Sequence, residues 1–200
     1  HRAGAFSGAS VARGTSFLKD SLDTQLFAQG IRITDDPLKK RGRGSKPFDG
    51  EGVRTEALTL IDDGRLTTWL LDTSTGKQLG LPSNGRAARG TGGSPSPSTT
   101  NLTLEAGSLS PEELMADITS GFYVTEMIGM GVNGVTGDYS RGASGFWIEN
   151  GELTFPVSEI TIAGNLKDMF ANLTPASDLE FKAATNAPTV RIEGMTLAGT

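Results

Sequence analysis

The side chains able to carry chemistry in this 200-residue sequence are few, and their types exclude more than they suggest. His1 is the single histidine and cysteine is absent. No histidine-based triad, thiolate nucleophile, two-histidine metal site or thiolate metal site can be built from this chain, and tight transition-metal binding is not expected, because carboxylates alone favour hard cations. Asp35, Asp36, Asp49 and Glu51 could gather as an oxygen-rich cation site, but their spacing matches no loop of defined ligand order, so turn formation is the expected use. Glu149 and Glu152 flank Asn150-Gly151 and should oppose each other at a water-exposed hairpin tip, where nothing raises a carboxylate pKa for acid catalysis. Ser140 stands in Tyr-Ser-Arg-Gly without a nucleophile elbow or a base, which leaves it to bond loop backbone. Gly129-Met130-Gly131 with Gly134 has the look of a dinucleotide fingerprint, yet no helix follows to receive a pyrophosphate. The run Lys39-Lys40-Arg41-Gly42-Arg43-Gly44-Ser45-Lys46 could hold a nucleic acid or an acidic peptide. No aromatic interleaves it to stack a base, so a mobile solvated loop is the expectation.

The elements that must position these residues centre on 137–165. Asn150-Gly151 between alternating apolar runs predicts a hairpin with a type I′ turn, which needs positive φ at both central residues. Opposed residue numbers then keep a constant sum: Glu149 faces Glu152, Ile148 faces Leu153, Trp147 faces Thr154 and Phe146 faces Phe155. Phe146, Ile148, Leu153, Phe155 and Val157 should share one apolar face, with Trp147, Thr154 and the two glutamates on an exposed or partner-facing side. The glycine-punctuated arm before the hairpin should let another backbone approach closely. Asp63-Gly64 predicts a second such hairpin, with Asp62 facing Arg65 as an ion pair, Ile61 facing Leu66, Thr59 facing Thr68 and Leu58 facing Trp69. The two hairpins match in pattern, either as an internal repeat or because Asx-Gly hairpins look alike.

Glycine at 27 of 200 residues and aromatics at 6% read as a loop-rich β protein. A net charge of −5 argues against a nucleic-acid-binding domain as a whole. No apolar run approaches the roughly 20 residues of a membrane helix, and no signal peptide opens the chain, so it reads as soluble. Starting at His1 without Met, it is expected to be a piece of a larger protein. Phe17, Leu18, Leu22 and Leu26 suit a short helix or turn on a core; 31–34, 102–104, 122–128, 160–162, 179–182 and 189–193 read as strands. Stretch 81–100, with three prolines and Arg86, reads as a long loop that is mobile or covers a groove. Ser110-Pro111-Glu112-Glu113 predicts a capping box opening a helix that runs to Gly121, and 165–173 a second short helix. The fold class expected is α+β, predominantly antiparallel, barrel-like or layered, with a few short helices.

Several of these runs, in this order, carry a resemblance: Ile31-Arg32-Ile33-Thr34-Asp35-Asp36-Pro37, Phe48-Asp49-Gly50-Glu51-Gly52, Leu60 through Leu66, Gly142 through Glu152, and Pro156 through Leu166. Together they resemble the TldD/PmbA family, and more closely its PmbA (TldE) branch, historically called modulator of DNA gyrase. The resemblance implies that 1–200 is the C-terminal domain of such a protein, with the N-terminal domain missing. It implies a cytoplasmic metalloprotease system of two related subunits. In the TldD branch a His-Glu-x-x-x-His helix and a later cysteine bind the metal. Here His1-Arg2-Ala3-Gly4-Ala5-Phe6 supplies neither the acid nor the second histidine, and 172–188 holds no cysteine. A non-metal-binding, catalytically silent reading is what the branch implies: no metal, no cofactor, and no proteolysis by this subunit alone. The implied partners are a TldD-like metallopeptidase subunit or a second copy, plus an extended peptide such as a microcin precursor or an antitoxin; neither nucleic acid nor membrane is implied. Candidates for a peptide groove or interface are Asp49, Glu51, Trp69, Tyr139, Ser140, Arg141 and Trp147. Apolar residues on both faces of the first hairpin, Ile61, Leu66 and Leu70 against Leu58, Leu60, Trp69 and Leu71, add an expectation of dimerisation, unless another layer of the same domain covers them. The alternatives are a non-proteolytic interaction module acting on gyrase or another partner, and an autonomous enzyme whose ligands lie in the missing N-terminal part.

Overall fold

The computed structural model describes residues 2–199, so His1 lies outside the described residues. In chain order the elements are a 3₁₀ turn (Arg2–Phe6), α1 (Gly8–Ala12), β1 (Ile33–Asp35), β2 (Leu58–Asp62), β3 (Arg65–Leu66), α2 (Thr73–Leu79), β4 (Ala87–Ala88), β5 (Ser96–Pro97), β6 (Leu102–Leu104) and α3 (Pro111–Met115). They continue with β7 (Ser120–Ile128), β8 (Asp138–Glu149), β9 (Glu152–Asn165), α4 (Leu166–Ala171), β10 (Leu173–Pro175), β11 (Thr185–Asn186), β12 (Val190–Ile192) and β13 (Thr196–Ala198). Contacts divide these into two units. Unit 1 runs to Glu105 and takes up Glu180–Ala187 again; unit 2 is Ala106–Leu179, resuming at Pro188. The fold is antiparallel-rich α+β, but its sheets are open, and no closed barrel forms among the described residues.

Unit 1 holds the sheet β11-β6-β1-β2-β3, antiparallel except where β11 runs parallel to β6. Its turn forms as predicted, with Asp63 at φ 47° and Gly64 at φ 80°, and Ile61 opposes Leu66. Beyond the turn the predicted pairing stops, because β3 is two residues long. Thr59 and Leu58 pair instead with β1. The predicted Asp62–Arg65 ion pair is replaced: Asp62 meets Arg32 at 3.4 Å, and Arg65 donates to the Asp23 carbonyl. The likeness of the two hairpins is thus confined to the turn and its first pairs. Both faces of this hairpin are covered within the chain, since Leu60, Ile61, Leu66, Trp69, Leu70 and Leu71 are all buried. Leu70 exchanges backbone bonds with Phe6 and Gly8, which brings α1 over it. The apolar faces therefore need no second subunit.

The stretch 81–100 is anchored in the core at 85–87 and at Thr100, while 89–94 is exposed. Arg86 enters the core and is fully buried beside fully buried Asp35, Nε to Oδ2 at 2.6 Å. Its remaining N–H groups donate to the carbonyls of Asn84, Gly85, Asp35 and Glu56, while Thr100 donates to Asp35 through N and Oγ1. All donors of the guanidinium and both carboxylate oxygens are used, which is the condition under which a buried ion pair is tolerated. The carboxylates weighed as a cation site are spent on such bonds, in keeping with the expected turn formation. Asp49 accepts from the amides of Glu51, Val53 and Ala87, and Asp36 from Leu38. Two helices, α1 and α2, have no counterpart in the sequence reading; Asp72 and Thr75 close the capping box of α2 and Gly80 ends it at φ 70°.

Unit 2 is built on the antiparallel sheet β13-β9-β8-β7, with β10-β12 beside it in the chain. Its turn is again as predicted, Asn150 at φ 51° and Gly151 at φ 82°. Gly145 fits the expected close approach, because a Cβ there would overlap the Tyr123 carbonyl of β7. The capping box at Ser110 and Glu113 forms, but α3 ends at Met115, and Gly121 belongs to β7. Arg191 on β12 holds α3 in place by donating to the Leu114 carbonyl and to Asp117. Residues 179–182 form no strand.

The register of β8 on β9 departs from the constant-sum rule. Glu149 opposes Glu152 and Ile148 opposes Leu153, but then Phe146 opposes Pro156, and farther out Ala143 opposes Ile160. Two bulges on β9 have each inserted a residue. Pro156 accounts for the first, since it cannot donate to a ladder, and Glu159 at φ 58° marks the second. The first bulge turns Phe155 over. Instead of packing with Phe146 it stacks on Trp147, ring centroids 6.4 Å apart and planes 14° apart. The predicted buried Phe146–Phe155 pair does not exist: both are exposed, Phe155 by 51%, while Ile148 is 3% exposed.

Candidate functional site

The seven candidate residues divide between the units. In unit 1, Asp49 is buried under its three backbone donors, Glu51 accepts from the Thr73 amide at the start of α2, and Trp69 is buried in the core with its Nε1 lacking an acceptor among the described residues. All three help build unit 1; Asp49 and Trp69 are buried, while Glu51 is exposed. Tyr139, Ser140, Arg141 and Trp147 lie along one strand, β8, in unit 2. Alternation puts Tyr139, Arg141 and Trp147 on one face of it and Ser140 on the other.

That face has a second layer of detail. Met127, across from Ala143 on β7, receives two neighbours of the face: Tyr139 Oη donates to its Sδ at 3.2 Å, and Arg141 Nη2 to its carbonyl at 3.2 Å. Arg141 Nε is buried without an acceptor, and no carboxylate pairs with this guanidinium among the described residues. Ser140 donates its amide to Gly131, and Val132 bridges to Tyr139, so the glycine loop 129–137 lies against the end of β8. Its backbone is shaped by Asn133, which accepts from the amides of Val135 and Gly137. Asp138 follows, held below the usual carboxylate range by the Thr136 hydroxyl and then the Asn165 amide. A depressed carboxylate is a poorer base, so this group orders the loop rather than moving a proton.

Farther along the same face, Phe122 opposes Trp147 on β7 and Phe155 stacks on it from β9. Val124 and Ile128 on β7, and Phe146 and Leu153 near the hairpin, are exposed. Strand β7 bonds to β8 alone, leaving its outer edge free along Ser120–Ile128; β13 covers β9 only at 161–163. Exposed apolar side chains beside unpaired main-chain donors and acceptors form a surface that can add a strand. Sequence reasoning missed Met127, Phe122 and the facing of Phe155; Pro156 inside a strand was the available signal for the last.

This surface pairs no nucleophile with a base among the described residues. Among the described residues no three His, Cys, Asp or Glu side chains gather in a way that could hold a metal ion, and the chain has no cysteine. A peptidase metal therefore does not fit the residues described. No helix among them is long and apolar enough to cross a membrane.

Comparison with known proteins places the whole chain in a family. The family model of the PmbA/TldA metallopeptidase C-terminal domain matches residues 1–199. Metalloprotease PmbA of Escherichia coli O157:H7 is 45% identical over 200 residues, which is 100% of this chain and 42% of that protein. Among solved structures, TldE from Thermococcus kodakarensis superposes with a TM-score of 0.86 at 25% identity, covering 98% of this chain and 46% of the other. A Bacteroides thetaiotaomicron protein whose name refers to modulation of DNA gyrase superposes with a TM-score of 0.87 at 30% identity, covering 100% and 43%. The chain thus spans less than half the length of these relatives.

Proposed function

The chain belongs to the PmbA/TldD metallopeptidase family, and from that premise we propose that it is part of the non-metal-binding subunit of a TldD/TldE-type protease, paired in the cytoplasm with a TldD-like catalytic subunit. In this reading the subunit helps hold an extended peptide while the partner's metal cleaves it. The observation that carries the reading is the free edge of β7 flanked by exposed apolar side chains in unit 2. An extended chain laid there gains main-chain bonds, and its alternate side chains meet the apolar positions. The donor set supports the division of labour, because a transition-metal site needs nitrogen or sulfur ligands that this stretch of the protein does not gather.

The test uses the full-length protein coexpressed with a TldD-like subunit of the same organism. Coelution as a heterodimer, and cleavage of an unstructured peptide that is lost when the partner's metal ligands are replaced, is the expected result. A lysine at Ile128 on the β7 edge should weaken partner or peptide binding while leaving thermal unfolding unchanged. A monomer at micromolar concentration that neither coelutes with the partner nor alters its cleavage rate overturns the reading and leaves a non-proteolytic interaction module.

A further inference from the structure

The basic run 39–46 is not the mobile loop that its composition suggests. Lys46 and Gly42 donate to the carbonyls of Pro37 and Lys39, and Ser45 Oγ donates to Lys39 as well. Asn101 clamps the middle of the loop, accepting from the Gly44 amide at 2.9 Å and donating to Ser45 Oγ and to the Asp36 carbonyl. Gly44 lies so close to Thr100 that any Cβ there would overlap its carbonyl. Arg41 takes a left-handed φ of 62°, which a non-glycine residue adopts only where its surroundings impose it.

This fixed loop forms one wall of a cavity of about 420 Å³ in unit 1. The opposite wall is 181–183 with Asn186, whose Oδ1 accepts from the amides of Lys182 and Ala183 at 2.9 Å each. Phe181 thereby stands over the basic run. Lys39 Nζ lies 2.9 Å from its ring centroid, and the residue is 57% exposed. Absence of an aromatic was the sequence argument against a ligand at this run; the fold supplies one from a distant part of the chain. Lys182 pairs with Glu180, whereas Lys40, Arg41 and Arg43 have no ion-pair partner among the described residues. Unneutralised cations held together on a molecule of net charge −5 repel one another, and an anion relieves that repulsion.

We propose that this cavity binds a small phosphorylated ligand carrying a planar ring, that is, a nucleotide. Lys40, Arg41 and Arg43 meet the phosphates, and the base stacks on the face of the Phe181 ring opposite Lys39 Nζ. Both Asn101 and Asn186 spend their side-chain amides on shaping the walls, so the base is held by stacking rather than read by hydrogen bonds, and little preference among bases follows. The volume falls within the few hundred Å³ typical of small-molecule sites. The proposal is independent of the peptide-binding reading, which rests on unit 2.

Titration of the full-length protein with ATP, with inorganic tripolyphosphate and with an oligoglutamate peptide, followed calorimetrically at low and moderate salt, separates the sources of the anion. ATP should bind more tightly than the other two by about tenfold or more. Phe181→Leu should remove that advantage while leaving tripolyphosphate affinity in place, and Lys40→Gln with Arg43→Gln should weaken both and flatten the salt dependence. Thermal unfolding of each variant, expected to be unchanged at these exposed positions, separates a lost site from a lost fold. Equal affinity for ATP and tripolyphosphate, stronger binding of oligoglutamate, indifference of ATP to Phe181→Leu, or no binding of ATP at millimolar concentration each overturns the proposal.

Discussion

The two units handle their polar and apolar groups in opposite ways. Unit 1 closes on itself: its hairpin is covered on both faces, and its most charged internal contact, Arg86 with Asp35, is fully buried with every donor matched. Unit 2 stays open. Its long sheet keeps a free edge and shows Val124, Ile128, Phe146, Leu153 and Phe155 to the surface, and the carboxylates that meet Arg191, those of Asp117 and Glu193, are exposed. The difference teaches where each kind of residue is spent. Internal satisfaction makes the core of unit 1 a scaffold that leaves the cavity beside 39–43 open, whereas unit 2 leaves unsatisfied surface along a whole sheet.

The largest expected effect breaks the closed unit. Arg86→Met leaves Asp35 buried and uncompensated and should destabilise by about 3–5 kcal/mol. The denaturant midpoint at unchanged slope reads this, and a loss under about 1 kcal/mol would mean that water reaches Asp35 and that unit 1 is not closed.

The open unit has its own internal contrast. Ile148→Ala removes one of the few buried side chains of the large sheet and should cost about 2–4 kcal/mol, whereas Phe155→Ala, half exposed and stacked on Trp147, should cost about 1. Comparable losses in the two variants would return Phe155 to the buried face and contradict the bulge beside Pro156.

What the sequence made legible was local. Asn150-Gly151 and Asp63-Gly64 specify their turns by backbone conformation alone, and Ser110 with Glu113 specifies a helix start by two reciprocal bonds. The constant-sum pairing fails a few residues from the turn, because each bulge shifts every later pair and the rule takes no account of Pro156, which has no N–H to donate. Helix α2 went unread since its stretch has almost no apolar residues to show a period; only Asp72 and Gly80 bracket it. Arg86 in a Gly-, Ser- and Pro-rich stretch reads as solvated, and its burial depends on Asp35, Glu56 and Thr100, contacts that only the fold brings together. On the candidate surface, Tyr139, Arg141 and Trp147 were legible as one strand face, but Met127, to which the first two bond, comes from β7 across a pairing that the sequence does not fix.

A smaller effect sharpens the comparison through association. Ile128→Lys should leave the unfolding midpoint within about 0.5 kcal/mol of the parent, because its side chain is exposed, yet reduce binding of partner or peptide. An equivalent lysine at Leu60, buried in unit 1, should instead unfold the protein. If both variants fold and bind as the parent does, the free edge of β7 is not the surface used.

The smallest effect concerns pH. In unit 2 the Asp178 carboxyl is held below its ordinary range chiefly by the Thr189 hydroxyl, which donates to it at 2.7 Å, with the Thr189 amide adding a second bond at 2.9 Å. Asp117 is lowered in the same direction, mainly by its hydrogen bond from Arg191. Each folded-state pKa lies below the unfolded value of about 4, so the folded state binds fewer protons than the unfolded one through that interval. The stability contributed is fully present above the unfolded pKa and is lost as pH falls through the folded one, which confines the effect to the acid side of about pH 4. Because both carboxyls are exposed, screening by solvent and salt keeps the contribution small. Asp178→Asn should therefore lower stability slightly at neutral pH and make the acid limb of unit 2 shallower, while leaving Thr189 an oxygen to bond. Hydrogen exchange at β10 and β12 amides, which lie where Thr189 leads into the β12 strand, resolves a change too small for the global midpoint. An acid limb of the same slope in parent and variant would show that Asp178 titrates alike in the folded and unfolded chain, and that the surface bonds of the open unit carry none of its pH dependence.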